Sequence, residues 1–194
     1  GGHSLILKQD GSVWATGSNL FGQLGESSAM LRTTFFPVMP GGAEAVAAGR
    51  DHSLALKAGG IWATGRNHYG QLGDGTIVNS SQPVTVDLGA NMTAVAVSAG
   101  FHHTCAILND GSAKCWGDNG EFESNGIVYA GDGRLGDGTD TNSAWPVSVD
   151  LPLSSVSCFC LDVRSSRISF SCSGSRITMP EVSAFRIFSF SRSS

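Results

Sequence analysis

The chain has 194 residues, enough for one ordinary domain with a sizeable core, and 14% of them are charged against 26 glycines, a balance that favours strands and turns over surface helices. No apolar run approaches the roughly 18 residues of a spanning helix. Residues 1–152 carry seven Lys and Arg against fourteen Asp and Glu, which argues against a nucleic-acid surface, since that needs clustered cations.

The first element is HSLILKQDGSVWATG from His3, in which apolar residues alternate on either side of Asp10-Gly11, a hairpin signal. The glycine-rich phrase NLFGQLGESS follows from Asn19, and Pro37-Val38 closes the unit. A short apolar strand, AVAAG, then leads into HSLALKAGGIWATG, which is one residue shorter and is predicted to turn on Gly59-Gly60. NHYGQLGDGT from Asn67 repeats the glycine phrase, and Pro83-Val84 closes the second unit. VAVSAG, HTCAILNDGSAKCWG, GDGRLGDGT and Pro146-Val147 repeat the series a third time.

The aligned histidines His3, His52 and His103 stand 49 and 51 residues apart, and Gly17, Gly65 and Gly117 stand 48 and 52 apart. The loop glycines Gly25, Gly73 and Gly136 keep the same order. A period near 50 with strands and no helices predicts a repeated antiparallel sheet, in the size range of propeller blades. The glycine phrase is then a loop, because glycine reaches backbone angles closed to other residues.

The motif G-x-H-[ST]…DGS…W-x-x-G-x-N…GQLGDGT…PV resembles the regulator of chromosome condensation repeat family over residues 1–152. The resemblance implies a β-propeller with one four-stranded antiparallel sheet per blade. The expected fold is therefore all-β: about three blades (about 1–45, 46–93 and 94–152) in an open, partial propeller. Three blades fall short of the roughly four that close a ring, so the chain is read as part of a longer propeller. Residues 153–194 break the pattern, with five arginines against Asp162 and Glu181 and fourteen serines. Three readings stand for them: a further β segment, a low-complexity linker, or translation through a shifted frame or an intron.

The three histidines invite a metal reading, but each occupies the same place in its own unit beside Ser or Thr. One structural role performed three times is the simpler account, with ring nitrogens satisfying backbone groups between strands. GDGRLG, residues 131–136, spells the dinucleotide fingerprint without the following helix that the fingerprint requires. Asp132, Asp137 and Asp140 lack the ligand order of a calcium loop. With no P-loop, nucleophile elbow or zinc motif, no catalytic, cofactor-binding or metal-binding residue is assigned.

Cys105 and Cys115 are predicted to face each other across the third hairpin, where the earlier units pair Leu5 with Ala15 and Leu54 with Ala63. Either a cross-strand disulfide or two buried thiols fits; a disulfide would contribute roughly 2.7 kcal/mol and point to an oxidising compartment. In such a compartment Asn79 (NSS) and Asn91 (NMT) are permissible glycosylation triplets. The third unit also carries eleven extra residues between Asn119 and Gly133, placing Phe122, Ile127, Val128 and Tyr129 in a long loop that suits partner contact or neutral length variation.

The expected function is a non-enzymatic scaffold that binds another protein, and no nucleic acid or membrane, through loops on one propeller face. The family resemblance adds two alternatives: guanine-nucleotide exchange on a small GTPase, and a secreted propeller that inhibits an enzyme. Thiols at Cys105 and Cys115 would place the chain in cytoplasm or nucleus, a disulfide outside the cell.

Overall fold

The structure is a computed structural model that describes residues 2–120 and 131–150, with the backbone of short strands at 122–124, 127–129, 160–161 and 168–169. The first sheet contains β1 (His3–Leu7), β2 (Val13–Ser18) and β3 (Leu31–Met39) in sequence order. The second contains β4 (Ala43–Ala48), β5 (His52–Lys57), β6 (Gly60–Gly65) and β7 (Ser80–Thr85). The third contains β8 (Ala94–Ala99), β9 (His103–Leu108) and β10 (Ala113–Gly117); its last strand follows a separate hairpin, β11 (Phe122–Ser124) with β12 (Ile127–Tyr129), and is β13 (Ser143–Ser148). Two-residue strands β14 (Cys160–Leu161) and β15 (Ile168–Ser169) pair with each other, and the remaining expectations for 153–194 fall outside the described residues.

All pairings are antiparallel meanders, and among the described residues the three sheets do not close a ring. The first sheet departs from the four-stranded expectation. The strand equivalent to β4 and β8 precedes the unit's histidine, and for His3 that position falls ahead of Gly1.

The expected hairpin register is observed: Leu5 pairs with Ala15, Leu54 with Ala63 and Cys105 with Cys115. In the first and third hairpins the aspartate of the turn holds the next serine. Asp10 Oδ1 accepts from Ser12 N at 2.9 Å, and Asp110 Oδ1 accepts from Ser112 N at 2.9 Å. The second turn lies one residue earlier than the sequence suggested, on Ala58 and Gly59 with φ of +50° and +74°, and Gly60 already pairs with Lys57. A two-residue turn with both central φ angles positive matches the strand twist, and this shorter hairpin leaves room for no other.

Pro37, Pro83 and Pro146 all sit on the outer strands β3, β7 and β13, where an absent N–H breaks no interior ladder. The strands β5 and β9 are buried almost throughout: β5 lies between the first and third units, and Cys105 of β9 packs on Leu135, Val147 and Val149 of its own unit. Leu54, Leu56, Ile61 and Leu72 of the second unit meet Ala106, Leu108 and Trp116 of the third in one continuous core. β4 contacts β8, its equivalent in the third unit, and β4 contacts β1 as β8 contacts β5, so each leading strand lies against the histidine strand of the preceding unit.

Candidate protein-interaction face

In each unit the turn before the histidine and the long loop before the outer strand emerge at the same end of the sheet. Residues 49–51 and 100–102 therefore share one face with residues 19–30, 66–79, 118–120 and 131–142. The hairpin turns at residues 8–12, 58–59 and 109–112 lie at the opposite end.

A buried asparagine shapes each long loop. Asn19, Asn67 and Asn119 accept from the backbone N–H of Leu24, Leu72 and Leu135 at 2.8, 2.9 and 2.9 Å. Their carboxamides also donate to carbonyls across the loop, Glu26 and Ala29, Thr76, and Thr139 and Thr141 respectively. The loop glycines Gly25, Gly73 and Gly136 close the turn at φ of +73°, +70° and +68°, so the leucine beside each is driven into the core. Asparagine at one place in every unit, the last residue of the G-x-N motif, is the sequence signal for this bracing.

The histidines act between units, which corrects the expectation that they satisfy backbone groups. His3 Nε2 lies 2.8 Å from Ser53 Oγ of the second unit, and Ser53 Oγ donates to the Gln23 carbonyl at 2.6 Å. His52 Nε2 lies 3.1 Å from Thr104 Oγ1 of the third unit, and Thr104 Oγ1 donates to the Gln71 carbonyl at 2.9 Å. Each hydroxyl has one proton and gives it to a carbonyl, so each histidine donates from Nε2, and burial favours the neutral ring in both. Trp116 Nε1 donates to the same Gln71 carbonyl at 3.0 Å, clamping the third unit on the second. His103 Nε2 has no partner among the described residues.

Burial pushes the His52 imidazole down to about 3, with the neighbouring histidines adding to the effect, and burial takes His103 down to about 4. The Nδ1 atoms of His3 and His52 have no acceptor among the described residues, so a second proton there would be buried and unpaired. A histidine whose folded pKa is depressed takes up its proton more readily in the unfolded chain. Its contribution is complete above the ordinary value near 6.5 and is lost as pH falls toward the folded value. Unfolding measured at pH 7 and pH 5 is expected to show a loss of about 2 kcal/mol from His52 alone, reduced in His52→Gln.

Cys105 and Cys115 form a disulfide, with sulfurs 2.06 Å apart and Cα atoms 4.1 Å apart, beside buried Leu135 and the partly buried Val147 and Val149. The short Cα separation is that of a non-hydrogen-bonded antiparallel pair, where side chains approach closest. The double variant Cys105→Ala/Cys115→Ala is expected to lose about 2–4 kcal/mol. A reductant should destabilise the parent protein and leave the double variant unchanged in denaturant titration.

Across the loop face runs a strip of aromatic and arginine side chains from all three units. Arg66 lies over the Phe21 ring at 5.1 Å, and its guanidinium reaches Asp51 at 3.6 Å. Asp51 also meets Arg50 at 3.5 Å, and Arg50 lies over the Phe101 ring at 4.7 Å. Phe101 stands edge-on to His102 at 4.7 Å, and His102 meets Tyr69 at 5.2 Å. Burial, together with Arg66 and Arg50, takes the His102 imidazole down to about 4, so at neutral pH it joins the strip as an uncharged ring. Arg134 pairs with Asp118 and Asp132 at the third-unit end.

The extra residues of the third unit rise from this same face. Their backbone forms the hairpin of β11 and β12, in which Phe122 is opposite Tyr129, Glu123 opposite Val128 and Ser124 opposite Ile127. None of the strip was singled out from the sequence. The cue lay in the positions just before each repeat histidine, where Arg50-Asp51 and Phe101-His102 replace small residues. Among the described residues no three His, Cys, Asp or Glu side chains gather into a metal-sized group. No helix among them is long and apolar enough to cross a membrane.

Repeated antiparallel sheets joined by braced loops, with residues of one unit bonded to the next, define a propeller-type repeat protein. The sequence pattern described as the regulator of chromosome condensation (RCC1) repeat matches residues 1–23, 44–71 and 94–123, and a second pattern of the same description matches 58–107. The chain belongs to the regulator of chromosome condensation repeat family. It is 35% identical over 127 residues to the human protein named probable E3 ubiquitin-protein ligase HERC6, covering 60% of this chain and 12% of that protein. The chain thus spans about one eighth of that relative's length.

Among solved structures, Prp20p from Saccharomyces cerevisiae, described with its binding properties to Gsp1p and histones, superposes with a TM-score of 0.63 at 22% identity. That match covers 77% of this chain and 36% of Prp20p. Yeast RCC1 (Prp20) bound to Kap60 superposes at 0.60 and 22% identity, over 81% of this chain and 37% of that one. At such identity the likeness establishes the fold.

Proposed function

We propose that the protein is a non-enzymatic scaffold that docks a protein partner on the loop face. The observation that carries this reading is the continuous strip Phe21, Arg66, Asp51, Arg50, Phe101, His102 and Tyr69. Aromatic and arginine side chains dominate the energetics of protein interfaces. Here they are held by one another before any partner arrives, which lowers the ordering cost of binding. Phe122, Ile127, Val128 and Tyr129 belong to a hairpin that leaves the chain between Gly120 and Gly131, at the loop end of the third unit, which supports including them in the proposed docking surface. Prp20p and its complex with Kap60 supply the analogy of a protein partner, Gsp1p among them, for a chain of this fold.

The test is capture of partners by the immobilised chain, compared with Arg50→Ala/Phe101→Ala. Both side chains are exposed, so the double variant keeps its thermal stability within about 1 kcal/mol. A partner retained by the parent and lost from this variant supports the loop face; equal retention sinks it. Adding captured small GTPases to a nucleotide-release assay then separates exchange activity from plain scaffolding.

A further inference from the structure

Residues 86–93 join the second sheet to the third at the end opposite the loop face, and they include the triplet Asn91-Met92-Thr93. Met92 N–H bonds to the Gly89 carbonyl at 3.3 Å, and Asn91 occupies the third position of this turn with φ of +62°. Asparagine tolerates that left-handed backbone, so the turn carries it at its tip with little strain. Asn91, Met92 and Thr93 are all exposed, and the Asn91 carboxamide makes no hydrogen bond among the described residues.

The other triplet, Asn79-Ser80-Ser81, is engaged by the fold. Asn79 Oδ1 accepts the backbone N–H of Asn67 at 2.8 Å, helping to brace the second loop. Ser81 lies in β7 against Gly22 of the first unit, so closely that a Cβ on Gly22 would sit 2.7 Å from Ser81 Cβ. Asn79 and Ser81 also line a groove with Asn19, Leu20 and Ser27, so a sugar there would enter the loop face.

The Cys105–Cys115 disulfide is an independent pointer to the oxidising compartments in which asparagine-linked sugars are attached. We propose that Asn91 is an N-glycosylation site and that Asn79 is not. The donor is an oligosaccharide carried on a polyprenyl diphosphate. Asn91 Nδ2 forms a bond to C1 of the first sugar as the C1–O bond to the diphosphate breaks. One amide proton leaves and the lipid diphosphate departs, with no change of oxidation state. A glycan at this turn projects away from the aromatic and arginine strip, so modification and partner docking are compatible. The inference rests on the disulfide and the turn, and is independent of the proposed partner.

The full chain, placed behind a cleavable secretory signal, is translated with endoplasmic-reticulum microsomes, and protease-protected chains are compared before and after endoglycosidase. The parent and Asn79→Asp are expected to shift by one glycan, and Asn91→Asp and Thr93→Ala to show none. Protection from protease reports translocation, so a chain without a glycan is distinguished from one that never entered the microsome. A protected parent chain without a glycan, a parent with two glycans, or a shift that survives Asn91→Asp overturns the proposal. Alkylation of free thiols in the same protected chains reads the disulfide separately.

Discussion

Gly65→Ala is expected to lower stability by about 4 kcal/mol, a large share of the roughly 5–15 kcal/mol typical of a domain. Gly65 ends β6 at φ of +112°, an angle that residues with a Cβ rarely adopt. The added Cβ would also collide with the Asp51 carbonyl oxygen, and would lie 2.8 Å from His52 Cα and 3.1 Å from Gln23 Cα. All three neighbours are backbone, on both sides of the boundary between the first two units, so no rotamer change relieves the contact. Retreat of His52 would break its bond to Thr104 and loosen the clamp on the third unit. The measurement is urea unfolding beside Gly111→Ala, whose φ is +84° but whose Cβ would meet nothing within 4 Å. That control is expected to cost about 1–2 kcal/mol. Equal losses in the two variants would mean that backbone angle alone, and not the close approach of units, makes glycine necessary at residue 65.

Asn67→Ala is expected to cost about 3 kcal/mol and to abolish partner binding at the loop face. The carboxamide is fully buried. It accepts from Leu72 N–H at 2.9 Å and donates to the Thr76 carbonyl at 3.0 Å and to Asp74 Oδ1 at 3.1 Å. Its removal leaves the buried Leu72 amide unpaired and releases the loop that carries Tyr69, which in turn holds His102. Hydrogen exchange at the Leu72 amide is the direct readout, and protection there should fall together with binding. Asn67→Asp keeps the acceptor but loses the donor bonds to Asp74 and Thr76 and sets a carboxylate beside Asp74, so it should not rescue the loop. Retained protection in Asn67→Ala would show that the glycine turn holds its shape without the side chain.

Much of this architecture was legible because it is periodic within one unit. Alternation around Asp10-Gly11 and Asn109-Asp110-Gly111 located the hairpins and their register, down to the facing of Cys105 and Cys115. Strand pairing by short turns is a local matter: the turn sets the register, and the period-two pattern sets the faces. The turn at Ala58-Gly59 was misread by one residue because two adjacent glycines offered two placements and alanine is an uncommon choice for positive φ.

Other features carry no period within a unit. His52 and Ser53 are polar residues at the head of β5, and the sequence by itself marks them only as repeated. Their burial and roles follow from the units on either side, since Ser53 bridges His3 to Gln23 and His52 meets Thr104. The strip from Phe21 through Arg66 and Arg50 to Phe101 likewise joins residues 80 positions apart in the chain.

By itself the sequence determined the repeat, the hairpin and leading strands, the hairpin register and the loop glycines, because short-range sterics and alternation decide those. Only the tertiary structure decided which unit's hydroxyl meets which unit's histidine, and which loops combine into one surface. Those contacts form between sheets, where the packing of one unit on the next sets the partner and no spacing within a unit encodes it.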